Sequence, residues 1–189
     1  MNLAVDSALL GEPVPVVVAQ PPSGVDAATA PWAWLLHGHG NTVTDVSWVV
    51  DGLATAMAVG TLSPCTIAAP VGPWSKTAWW VDSAYHDGRP VESAVVDEVL
   101  PEVEQRLGPA GREQRVVAGL SMGGGAANGW VLKHQELFGS AALAAPAAFA
   151  DVPPARSADA SGAFGVGDRP FVAERWASLM SYRRLLTDR

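Results

Sequence analysis

A single cysteine, few lysines and no long apolar run each close off a class of protein. Cys65 is the only thiol in 189 residues, so neither a disulfide scaffold nor a zinc-finger-type cluster can be built. Its neighbours Pro64, Thr66 and Ile67 read as the start of a buried strand, which favours a small buried apolar side chain over a reactive thiol. Basic residues number 12 against 19 acidic ones, giving a net charge of −7 and no basic stripe for nucleic acid. Asp97, Glu98, Glu102 and Glu104 are spaced like a solvated helix face. No segment approaches the roughly 18 uninterrupted apolar residues of a membrane span. Residues 1–6 have neither the basic nor the apolar region of a signal peptide, so the expectation is a soluble, cytoplasmic protein. With 49% hydrophobic residues, it is expected to bury its core within one domain, residues 1–189.

What is present alternates between two periods. Residues 14–19 form a β-branched run closed by Pro21 and Pro22, a strand whose prolines suggest a sheet edge. Residues 32–37 give a more buried strand that stops at a Gly-rich turn, Gly38 to Asn41. Helical spacing over 44–60 places Val46, Val49, Val50, Leu53 and Met57 on one face, with Gly60 as the stop. A short strand at 65–69 and an aromatic loop at 74–90 follow, then an amphipathic helix over 91–107. Beyond these lie a strand at 115–119, a helix at 124–134, a strand at 140–145, a loop over 150–169 and helical sequence over 172–186. Strands alternating with helices imply a parallel sheet covered on both faces, with function at the C-terminal strand ends.

Gly119-Leu120-Ser121-Met122-Gly123 lies at such an end. A serine held in a tight strand-to-helix turn needs small residues two before and two after it, and Gly119 and Gly123 satisfy that. The turn exposes Oγ near a helix N-terminus, where the N–H of Met122 is free to donate to a developing oxyanion. Five residues alone are weak evidence in a chain with 19 glycines. The flanking elements strengthen them. The loop His37-Gly38-His39-Gly40, directly after a core strand, is placed to supply a second donor, the N–H of His39. The His37 side chain is expected to bond neighbouring backbone, and the His86-Asp87 pair to be solvated. Trp79 and Trp80 read equally as sheet packing and as the wall of a substrate pocket.

Taken together, Leu35 to Gly40, Trp48, Trp79 to Ser83, the helix from Val99 to Glu104, Ala118 to Gly124 and Leu132 to Ala141 resemble the family described as Putative esterase. That family includes the esterase D and S-formylglutathione hydrolase group, tributyrin-type acetylesterases and the antigen 85 mycolyltransferases. The resemblance spans roughly residues 30 to 185 and implies a three-layer α/β-hydrolase-like fold with a mainly parallel central sheet. It also implies ester hydrolysis or acyl transfer on a small-molecule ester through an acyl-serine, without metal or organic cofactor. Ser121 is then the nucleophile, and the N–H groups of His39 and Met122 are the oxyanion donors.

The same resemblance exposes a gap. The family orders its triad as serine, acid, histidine, yet downstream of Ser121 the only histidine is His134. At about 1.5 Å per helical residue, His134 lies nearly 20 Å from the serine and is expected as a surface histidine at the helix end. The stretch Phe164 to Trp176 resembles the segment before the strand that carries the acid, so the last strands are expected to be absent. An inactive, esterase-like binding or structural protein is the alternative reading. A sheet that ends early would leave an apolar edge to be covered by self-association or by the last helix.

Overall fold

The computed structural model describes residues 1–26, 29–148 and 162–180. In chain order its main elements are β1 (Asn2–Ser7), β2 (Glu12–Ala19), β3 (Trp32–Leu36), α1 (Val43–Ala58) and β4 (Thr66–Pro70). A 3₁₀ turn (Pro73–Thr77), β5 (Ala84–Tyr85), α2 (Val91–Ser93), a π-helical stretch (Ala94–Val99) and α3 (Leu100–Leu107) come next. Then follow β6 (Arg115–Leu120), α4 (Met122–Lys133), β7 (Ser140–Ala144), β8 (Val166–Gly167) and α5 (Ala173–Leu179).

Six strands form one sheet in the order β1-β2-β4-β3-β6-β7. β4, β3, β6 and β7 run parallel, as the alternation of strands and helices requires. β1 and β2 join them antiparallel, so the sheet is mixed. This corrects two expectations. The Val-rich strand β2 is not an edge, because β1 pairs along its outer side from Asn2 to Ser7. The helix after the serine begins at Met122, two residues earlier than the sequence suggests.

Alternation along β3 decides both faces of the sheet. Trp32, Trp34 and Leu36 are buried on one side with Val117, Trp130 and the helical rod of residues 91–107. Ala33 and Leu35 point to the other side, where α1 lays Val46, Val50 and Met57 against Ile67 and Ala69. A fully buried tryptophan removes about 150–250 Å² from water, roughly 4 kcal/mol or more of transfer free energy, and Trp32, Trp34 and Trp80 are each at most 1% exposed. Cys65 is half-buried just before β4, its Sγ 3.7 Å from Met57 Sδ, and burial raises its thiol pKa.

The rod from 91 to 107 is the single amphipathic helix that the sequence suggests, with one local change of winding. The Leu100 N–H reaches back five residues to Val95 O, and Pro101 follows immediately. A proline has no N–H to donate, and its ring would crowd the carbonyl four residues back in a regular α-helix. The wider π turn removes that conflict. Of the acidic residues expected on the solvated face of this rod, one departs from expectation. Glu104 is 4% exposed, not solvated. Its carboxylate accepts from Arg115 Nε at 2.6 Å and Nη2 at 2.8 Å, from Trp34 Nε1 at 3.3 Å and from the Ala110 N–H at 3.1 Å. Those donors replace the water it loses.

Candidate active site

Ser121 caps α4 directly after β6, with φ 54° and ψ −114°. For a residue with a Cβ this is a strained conformation, costing on the order of 1–3 kcal/mol, and it persists only where the surroundings enforce it. The enforcement is visible in the backbone. The Ser121 N–H donates to Ala144 O at 3.0 Å, and its carbonyl accepts from Gly125 N at 3.0 Å and Ala147 N at 2.8 Å. The turn after β7 thus clasps the serine from one side. From the other, Gly119 and Gly123 let strand and helix meet: a Cβ on Gly123 would stand 1.9 Å from Leu36 O, and one on Gly119 would stand 2.1 Å from Gly123 O. The side chain of Ser121 is left exposed, with no hydrogen-bond partner among the described residues.

The loop after β3 lies beside it. A Cβ built on Gly38 would be 3.6 Å from Ser121 Cβ and 3.5 Å from Leu120 O. α1 begins just past this loop because Thr42 closes a capping box: its hydroxyl accepts from Asp45 N, while the Asp45 carboxylate accepts from Thr42 N at 2.8 Å. The Thr42 hydroxyl also donates to Asp45 Oδ2 at 2.7 Å, and this bond, followed by that from the Thr42 N–H, holds the Asp45 pKa below its usual value. The backbone N–H groups of His39 and Met122 have no acceptor among the described residues, and the His39 side chain is exposed. Leu35, Leu36, Gly38, Val49 and Leu120 line a small apolar cleft next to this turn.

His37 is buried at 5% exposure. Its Nδ1 lies 2.8 Å from Gly38 O and its Nε2 2.7 Å from Ser75 Oγ. A carbonyl only accepts, so the hydrogen-bond pattern assigns the proton to Nδ1. Burial pushes the imidazole pKa down, opposed by the Gly38 carbonyl and by the charge on Asp45. Folding therefore favours neutral His37. An unfolded histidine titrates near pH ~6.5, and below that value the unfolded chain takes up a proton that the fold resists. Stability contributed here is complete above about pH 6.5 and is lost as pH falls towards the folded pKa. The urea midpoint is expected to drop between pH 7.5 and 5.5, and His37→Asn to reduce that drop. Equal drops in both proteins would refute the assignment.

Ser75 was not foreseen. The signal was present in Gly72-Pro73 followed by a serine at the third position, a pattern that starts a short turn: Gly72 N donates to Ser75 Oγ at 3.0 Å. Trp79 and Trp80 are buried, at 5% and 0% exposure, with φ 55° and 58°. Trp80 Nε1 donates to His37 O at 3.1 Å, and Trp130 Nε1 donates to Trp80 O at 3.1 Å. Both tryptophans also line a cleft together with Gly125, Ala147, Glu92 and Lys133.

His134 is not the surface histidine expected at the helix end. It is half-buried, with Nε2 at 2.7 Å from the buried Glu92 carboxylate, which Lys133 Nζ also approaches at 2.8 Å. His86 is exposed, as expected, and sits 2.9 Å from Asp87 and 3.5 Å from Asp168. None of the four histidines hydrogen-bonds Ser121 Oγ. Arg183, Arg184 and the helical sequence after residue 180 lie outside the described residues.

Comparisons with solved structures, curated proteins and a family model bear on this arrangement. The chain resembles a ferulic acid esterase structure at 24% identity and TM-score 0.66, covering 81% of this chain and 62% of that one. It resembles FphF, a fluorophosphonate-binding serine hydrolase of Staphylococcus aureus, at 15% identity and TM-score 0.67, covering 100% and 74%. An S-formylglutathione hydrolase from Agrobacterium tumefaciens aligns at 21% identity and TM-score 0.62, covering 77% of this chain and 57% of that one. At these identities the likeness is one of fold, and the chain spans between about half and three quarters of the three neighbours' lengths. No curated protein matches the sequence. The family model described as Putative esterase matches residues 7–161, the greater part of the chain, so the protein belongs to that esterase family.

Proposed function

We propose that Ser121 is the nucleophile of a carboxylic-ester hydrolase that works through an acyl-serine. The observation that carries this reading is the exposed serine at φ 54°, clasped by backbone bonds and wedged between Gly119 and Gly123. In a nucleophile elbow of this kind, Oγ attacks the ester carbonyl carbon and the carbonyl oxygen becomes an oxyanion. The N–H groups of His39 and Met122, which have no acceptor among the described residues, then donate to that oxyanion, an interaction stronger in the transition state than in the ground state. Collapse breaks the acyl–oxygen bond, and the alcohol leaves with a proton in place of the one lost from Oγ; water or another hydroxyl then attacks the acyl-serine, forming the acid or a new ester and returning a proton to Ser121 Oγ. The substrate is a small-molecule ester, with the cleft edged by Trp79 and Trp80 receiving one of its two portions.

The proton on Oγ needs an acceptor. Oxyanion and binding terms alone sustain about 10³-fold over water in other serine hydrolases stripped of a triad member, so a weak rate is compatible with a site lacking a histidine base. A fluorophosphonate probe is expected to label Ser121, and Ser121→Ala to abolish the labelling and to lower hydrolysis of p-nitrophenyl acetate to no more than the residual rate that the oxyanion donors and binding sustain without a nucleophile. Absence of labelling in the folded wild-type protein would sink the proposal. A second reading, an esterase-like protein that binds but does not turn over, is favoured by the absence of a histidine on Ser121 Oγ. Measured turnover that depends on Ser121 would eliminate it.

A further inference from the structure

The loop that carries the His39 N–H is held from beneath by groups that the ester chemistry itself does not use. Within one planar, trans peptide unit the C=O and N–H point in opposite directions. The carbonyl of Gly38 and the N–H of His39 belong to the same unit, so whatever fixes the first aims the second. Gly38 O is held by His37 Nδ1 at 2.8 Å and by the Asn41 N–H at 3.4 Å. His37 is in turn anchored at three places. Its Nε2 meets Ser75 Oγ at 2.7 Å, its carbonyl accepts from Trp80 Nε1 at 3.1 Å, and its ring packs edge-on against Trp80 with centroids 4.9 Å apart. Two residues on, the Gly40 N–H donates to Lys76 O at 2.7 Å, a second tie between this loop and the same 3₁₀ turn.

The Ser75 hydroxyl fixes the polarity of this chain of bonds. Its one proton is shared between His37 Nε2 and Gly72 O, which lies 2.8 Å away. With His37 neutral and protonated on Nδ1, the hydroxyl proton faces Nε2, the Gly72 N–H donates to Oγ, and Nδ1–H donates to Gly38 O. Each bond then polarises the next, ending at the peptide whose other end is the His39 N–H.

We infer that His37 is a positioning residue: through Nδ1–H it orients the Gly38–His39 peptide so that the His39 N–H is presented beside Ser121, with Ser75 and the turn Pro73–Thr77 as its support. The inference rests on the ester-hydrolase reading of Ser121, and its test separates the two. Asparagine places its amide N–H donor near the position of Nδ1, and glutamine places its amide oxygen, an acceptor, near that of Nε2, so His37→Asn keeps the bond to Gly38 while His37→Gln keeps only the bond to Ser75.

The experiment measures amide order at His39 by ¹⁵N relaxation together with kcat and KM for p-nitrophenyl acetate, on wild-type, His37→Asn and His37→Gln protein shown by thermal melting to be folded. Removing an oxyanion donor outright costs about 10²–10³-fold in kcat, and misaiming one costs less. His37→Gln is expected to lower kcat about 10- to 100-fold with KM within about 3-fold, and to drop the His39 order parameter from a rigid value near ~0.85 towards ~0.6. His37→Asn is expected to keep the order parameter and at least about a third of kcat. An order parameter unchanged in His37→Gln, or equal losses in both variants, overturns the inference. A wild-type protein that never labels at Ser121 defeats the ester-hydrolase reading instead, while the order parameters still decide what His37 does.

Discussion

Gly123→Ala is expected to abolish the native state, or to destabilise it by about 4 kcal/mol or more. A Cβ at this position would stand 1.9 Å from Leu36 O, 2.4 Å from Leu36 C and 2.7 Å from His37 O. All three atoms are backbone, at the end of the central strand β3, so no side chain can swing away to make room. Overpacking a core normally costs ~1–3 kcal/mol because flexible side chains absorb part of it. Here the first turn of α4 and strand β3 must separate by more than an ångström, and that separation breaks the clasp that holds Ser121 at positive φ. Against a total stability of about 5–15 kcal/mol, the loss is close to disabling. Gly52→Ala is the internal control: Gly52 lies in α1 with nothing within 4 Å of an added Cβ. It is expected to stabilise by roughly 0.4–1 kcal/mol through helix propensity and a less flexible unfolded chain. Urea denaturation of both variants checks the contrast. A Gly123→Ala protein within about 1 kcal/mol of wild type would show that strand and helix have slack that the geometry denies.

That contrast explains why the serine turn was legible in the sequence. Close backbone approach leaves only one amino acid available at Gly119 and Gly123, so the constraint is written directly as glycine. The alternation of β3 was legible for a similar reason: Trp32, Trp34 and Leu36 share one face and Ala33 and Leu35 the other, and a period of two admits little else. The helix α1 announced itself through Val46, Val50 and Met57 at helical spacing, although Val49 on the same nominal face is 36% exposed because it flanks the cleft beside Leu120.

The features that escaped are those in which a residue's surroundings come from distant sequence. Glu104 carries the signature of a solvated acid, and only the arrival of Arg115 and Trp34 Nε1 makes its burial affordable. His134 looks like a helix-end surface residue until Glu92, 42 positions away in sequence, is found beneath it. β1 was missed because Asn2 to Ser7 has the alternation of a half-exposed strand but no turn signal before it. Without β1, its partner β2 reads as the edge. The His37 side chain bonds neighbouring backbone, as its place in the turn implies, yet its second bond, to Ser75, depends on how a loop 38 residues on folds beneath it. Trp79 and Trp80 are both buried, as packing on the sheet requires, and both also edge a cleft.

Trp80 should be the most costly aromatic residue to remove near the site. Its ring is fully buried, in edge-on contact with Trp74 at 6.2 Å, with Trp130 at 6.4 Å and with His37 at 4.9 Å. Truncation to alanine removes the transfer free energy of the indole and leaves a void walled by those rings, about 3–5 kcal/mol. Positive φ at Trp80 argues the other way, since glycine at 58° would relieve roughly 1–2 kcal/mol of strain. The cavity is the larger quantity, so Trp80→Gly is also expected to be less stable than wild type, though comparable to or slightly better than Trp80→Ala. Trp80→Phe separates packing from hydrogen bonding. It keeps most of the ring and removes the donor to His37 O, leaving a buried carbonyl unsatisfied at about 1–3 kcal/mol. The loop from Gly38 to Gly40 hangs from that carbonyl, so fluorophosphonate labelling of Ser121 should slow in Trp80→Phe beyond what its lost stability accounts for. Urea midpoints for the three variants, read beside labelling rates, decide the matter. A phenylalanine variant as stable and as reactive as wild type would mean that the indole N–H supports neither the fold nor the loop.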